Sequence, residues 1–136
     1  MTQTRRFKIE TLVRDKMPEK IQKLGGRLEL HQLDKQEILS HLKHKLCEEV
    51  TEVCKATDSN EVQEEIGDVL EVLNVLAKKH GLEWEQIEQS RFRKYKERGG
   101  FERGIYVKYI EVDASDNSCP AIQYYLNNPE KYPEIS

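Results

Sequence analysis

The chain has 136 residues, 37% apolar and 35% charged, enough for one domain with a core and polar enough to read as helix-rich. Its 22 basic and 25 acidic residues leave a net charge of -3, which gives no general attraction for nucleic acid or for an anionic membrane. No stretch has transmembrane length and no apolar core follows the N-terminus as in a signal peptide, so a cytoplasmic protein without membrane partners is expected.

Residues 7–17 read as a lead-in segment containing Leu12-Val13-Arg14-Asp15-Lys16. Pro18 can open a short helix over about 18–24, which Gly25-Gly26 stops. Residues 27–33 alternate polar and apolar, a weak strand signal. Asp34 with Glu37 has the spacing of a capping box, predicting a long helix over about 35–57 with Ile38, Leu39, Leu42, Leu46, Val50 and Val53 on its apolar side. Asp58 and Glu61 repeat the signal before a second long helix over about 60–80, which ends at His80-Gly81. A third helix is predicted over about 83–98, with Trp84 as a packing anchor beneath it. It closes at Gly99-Gly100. Ile105 to Val112 reads as a short strand. Residues 1–112 form one expected domain. Residues 113–136 form a C-terminal arm with a short helical piece near 122–126.

Cys47, Cys54 and Cys119 show neither a CxxC motif nor zinc-ligand spacing and read as reduced thiols. No glycine-rich phosphate loop is present.

Two acidic pairs carry the chemistry. Glu49 and Glu52 are three residues apart on the first long helix, and Glu65 and Asp68 are three apart on the second. Such pairs are neighbours on one helix face. On a helical projection at about 100° per residue, Glu49 falls about 45° from the centre of the apolar arc. Glu52 lies at the edge of that arc, and Glu48 further out. On the second helix, Glu65 and Asp68 share a stripe with Val72 and Val75. From Val69 onward that helix is apolar nearly all round, as expected of a helix packed on several sides. A carboxylate facing an apolar surface is costly without a compensating cation. A single such Glu is usually half of a solvated ion pair, as Lys45 with Glu49 could be. Two pairs on consecutive helices point further, to a nest of four carboxylates suited to a hard divalent ion such as Mg²⁺.

These residues resemble a known family. Glu49-x-x-Glu52, twelve residues, then Glu65-x-x-Asp68 resembles the signature of the all-α nucleoside triphosphate pyrophosphohydrolases. The segment Leu12 to Pro18 resembles the "LVRDKIP" start of the MazG-like, phosphoribosyl-ATP pyrophosphohydrolase-like branch. Arg98-Gly99-Gly100-Phe101-Glu102-Arg103-Gly104-Ile105 resembles its "RGGFxxGI" ending. The resemblance implies an all-α helical bundle with minor short strands, assembled as a homo-oligomer, either dimer or tetramer. It also implies Mg²⁺-dependent hydrolysis (Mn²⁺ being the alternative ion) of a nucleoside triphosphate between its α and β phosphates. The products are a nucleoside monophosphate and pyrophosphate, in keeping with a house-cleaning role.

On this reading Glu49, Glu52, Glu65 and Asp68 are the metal ligands. Glu52 or Glu48 is the candidate general base. Arg14, Lys16, Lys45, Lys94, Arg98 and Arg103 are candidate partners of the substrate phosphates. Lys94 and Arg98 read equally well as a basic helix end that complements the helix dipole. Two alternatives stay open: a phosphoribosyl-ATP pyrophosphohydrolase of histidine biosynthesis, and a non-catalytic helical interaction module.

Overall fold

The computed structural model describes residues 3–113 and 120–136; Cys119 lies outside them. The described residues are all-α. The helices are α1 (Met17–Lys23), α2 (Lys35–Lys55), α3 (Ser59–Lys79), α4 (Trp84–Arg98) and α5 (Pro120–Leu126). The chain divides into two compact units, Met1–Glu97 and Arg98–Ser136.

In the first unit the helix ends follow local chemistry. Pro18 occupies the first turn of α1. Asp34 caps α2 with a complete capping box: its carboxylate accepts from the Glu37 N–H at 2.8 Å, and the Glu37 carboxylate accepts from the Asp34 N–H at 3.3 Å. The second box is altered. Asp58 accepts from the Glu61 N–H at 2.9 Å, but the Glu61 side chain reaches one residue further back, to the Thr57 N–H at 3.2 Å. α3 ends in a Schellman motif. The Leu82 N–H donates to Ala77 O and the Gly81 N–H to Lys78 O, with Gly81 at φ 69. That left-handed conformation is easy only without a Cβ.

The dominant packing between helices is α2 against α3. Only residues 56–58 connect these two 21-residue helices, so the chain folds straight back as an αα-hairpin. Leu42 of α2 and Val72 and Ala77 of α3 are buried. From Val69 onward the other apolar residues Val69, Leu73, Val75 and Leu76 are half-buried, while Leu70 is 49% exposed and Ile66, one turn earlier, is 46% exposed. Val50, on the expected apolar side of α2, is also exposed.

The expected strands are absent among the described residues. Residues 27–33 and 105–112 run without regular secondary structure, and a strand needs a neighbour to take its backbone hydrogen bonds. Leu30, Tyr106, Val107 and Tyr109 are exposed. Trp84 is likewise no buried anchor: it opens α4 and is 42% exposed.

The second unit is built around α5. Ile122 is buried there. Tyr124, Tyr125 and Tyr132 form an aromatic cluster with ring centroids 5.2 to 5.8 Å apart.

Candidate metal centre

The hairpin explains how two acidic pairs distant in sequence meet. Glu49 lies six residues before the end of α2 (49 to 55), and Glu65 six residues after the start of α3 (59 to 65). At a rise of about 1.5 Å per residue, both stand roughly 9 Å from the turn and therefore level with one another. Asp68, one turn beyond Glu65, completes the group. Glu49, Glu65 and Asp68 each offer a carboxylate oxygen, and these oxygens lie within 4.8 Å of one another. All three residues are half-buried. The Glu49 side chain is 15% exposed, against 38% for Asp68, in line with its place inside the apolar arc.

Glu52, nearer the turn, is outside this trio and exposed, yet its charge reaches it. Burial, followed by the negative charges of Asp68, Glu49 and Glu52 and contact with Asp68, pushes the Glu65 carboxyl above its ordinary value of 4.5. Three hard oxygen donors in mutual repulsion fit a hard divalent cation, which would relieve that repulsion.

Two cations already balance the acids. Lys45 Nζ lies 3.2 Å from Glu48 Oε2 and 3.4 Å from Glu49 Oε1, one turn away on the same helix. Arg14 comes from the non-helical lead-in segment, and its guanidinium donates to Asp68 Oδ1 at 2.6 Å. The same segment is tied to α2 by Thr11, whose hydroxyl lies 2.9 and 3.1 Å from the two Glu48 oxygens.

Glu48 is thus the most heavily engaged of the acids. It meets Thr11, Lys45 and the His44 ring, whose Nε2 is 3.2 Å away. Partial burial pushes its carboxyl up, but hydrogen bonds from Thr11 and Lys45, aided by the Lys45 and His44 charges, outweigh this and leave it below the ordinary 4.5.

The other sequence candidates are not drawn into these contacts. Lys16 is the exposed residue at the N-cap of α1. Lys94 is exposed on α4 in the first unit. Arg98 and Arg103 are exposed and belong to the second unit. No ion pair joins any of these four to an acid among the described residues. Asn74 and Trp84, with Gly67, Leu70 and Glu71, line a shallow groove that includes none of Glu49, Glu65 and Asp68. Thr11 was not foreseen: a lone hydroxyl has no spacing that marks it, and only the path of the lead-in segment brings Thr11 to α2. His44 was not singled out either, although it stands four residues before Glu48 on one face of α2.

The half-buried acidic trio on an αα-hairpin defines a class: helical proteins suited to a divalent ion. Comparison with protein families makes it more specific. Residues 37–100 match the family model of the MazG nucleotide pyrophosphohydrolase domain. The matched stretch takes in most of α2, all of α3 and α4, and Gly99-Gly100, and is similar to that domain. Comparisons with curated proteins and with solved structures gave no significant match. Among the described residues, no helix is long and apolar enough to cross a membrane.

Proposed function

We propose that the chain is a Mg²⁺-dependent nucleotide pyrophosphohydrolase that cleaves a nucleoside triphosphate between its α and β phosphates, giving a nucleoside monophosphate and pyrophosphate. The observation that carries this reading is the convergence of Glu49, Glu65 and Asp68 within 4.8 Å inside the stretch that matches the MazG family. When bound, Mg²⁺ or Mn²⁺ supplies positive charge for the phosphates and makes water more acidic.

The chain's own residues do the rest. Glu49, Glu65 and Asp68 hold the ion, and Glu52 stands at the edge of the same field. Glu52 is also the preferred general base, because Glu48 is occupied by three partners and held below the ordinary carboxylate range, which weakens it as a proton acceptor. Among the described residues no hydrogen bond or ion pair engages the Glu52 carboxylate; its backbone carbonyl accepts from the Ala56 N–H. Lys45 fixes Glu49 in position. Arg14, Lys16, Lys94, Arg98 and Arg103 are assigned to the substrate phosphates. Arg14 has the support of geometry, and the other four rest on the motifs that contain them or on helix position.

The working form is a homo-oligomer. The support is the pair Ile66 and Leu70, one turn apart on α3, which remain about half exposed. Substituting the trio tests the reading. Losing even an outer partner of a metal ligand typically costs about 10- to 100-fold, so Glu49→Gln and Asp68→Asn should each lower turnover at least about 100-fold. Helix content by circular dichroism should be unchanged. Full turnover in both variants would sink the site.

A further inference from the structure

The two cations at the acidic trio differ in their freedom to leave. Lys45 is one helical turn from Glu49 on the same helix, and its side chain is only 24% exposed, so its position is built into α2. Arg14 is 61% exposed, lies on a segment without regular structure and reaches Asp68 across 54 residues of sequence. Its neighbour Thr11 ties the segment to Glu48 of α2, so Arg14 would stay beside the site even with its own bond broken. A guanidinium and a divalent ion at the same carboxylate compete for its oxygens and repel one another. The guanidinium meets Asp68 through a single Nη2 N–H, and its fork of donors also matches a phosphate.

We propose that Arg14 is an exchangeable counter-ion. It neutralises Asp68 while the site lacks metal, is displaced when the divalent ion binds, and then turns its guanidinium to the polyphosphate of the incoming nucleotide. Thr11 keeps it within reach through that exchange. The inference rests on the metal reading of the preceding section and adds an order of events to it. Arg14, once released from Asp68, would be the group that receives the substrate.

The test is calorimetric titration of the purified full chain with Mg²⁺ alone, comparing the parent protein with Arg14→Ala and Arg14→Lys. A partly exposed ion pair of this kind is worth a modest amount, so removing the competitor should tighten Mg²⁺ binding by about two- to fivefold in Arg14→Ala. Arg14→Lys, which keeps the charge, should stay near the parent value. The same Arg14→Ala variant should raise KM for the nucleotide more than it lowers kcat, with partial recovery in Arg14→Lys. A residue that only shaped the fold would not tighten metal binding. If the parent binds Mg²⁺ and Arg14→Ala binds it equally or more weakly, the exchange is overturned while the metal centre stands. If the parent binds no Mg²⁺, the metal centre itself fails and the exchange with it. Should Arg14→Ala lose helix content, Arg14→Gln removes the charge with less loss of side-chain volume and is read in the same way.

Discussion

At the scale of single residues, Glu65 carries the tension of the site. Burial and three neighbouring carboxylates raise its pKa above 4.5. The charged form is therefore disfavoured in the folded chain, and the resulting penalty is fully present above the raised folded value. It is relieved as pH falls from that value toward 4.5, where the unfolded chain also takes up the proton. Glu65→Gln should accordingly raise the melting temperature of metal-free protein at pH 7, and the advantage should shrink on acidification and vanish below about 4.5. With Mg²⁺ present the order should reverse, because the parent gains a ligand-linked stabilisation that the variant lacks. Melting curves across pH, with and without Mg²⁺, check both halves; a variant less stable than the parent at pH 7 without metal would contradict the account. The inward acid Glu49 was legible from helical periodicity alone, since its angle to the apolar arc needs only the residue spacing. Its arrival beside Glu65 was not, because that depends on the length of the connection.

At the scale of elements, the α2/α3 hairpin sets the geometry. Its boundaries were legible in sequence because caps are local: Asp34 with Glu37, and His80-Gly81, act through bonds within a few residues. The strands read at 27–33 and 105–112 fail for the complementary reason. A strand is a property of two segments, and alternation in one says nothing about whether a partner exists. Leu42 is the buried residue of α2, the helix that packs on α3. Leu42→Ala should cost about 2–5 kcal/mol in urea unfolding and loosen the carboxylate trio with it. A cost below about 1 kcal/mol would show that the hairpin does not depend on that contact.

At the scale of the whole molecule, apolar surface exceeds what the helices cover. Val50, Ile66 and Leu70 belong to the two long helices, within the stretch that matches the MazG family model, and are all exposed. Proteins that leave large side chains open along one face commonly close that face against a partner. Sedimentation should find the parent as a dimer or tetramer, and Leu70→Glu should shift it toward smaller species with its helix content retained. A parent that is monomeric at micromolar concentration would contradict the oligomer. The apolar girth of α3 was legible in sequence. The exposure of Ile66 and Leu70 within it was not, because periodicity records which side chains avoid water and not what covers them.

The most direct test of the central claim is the product balance of the reaction. Purified protein is incubated with a panel of ribo- and deoxyribonucleoside triphosphates, deaminated and oxidised variants and phosphoribosyl-ATP, with Mg²⁺ and with chelator. The account predicts equal amounts of nucleoside monophosphate and pyrophosphate from at least one substrate, only with metal, and none from Glu49→Gln. Release of orthophosphate and a diphosphate would contradict it, as would turnover that persists in chelator or in the variant.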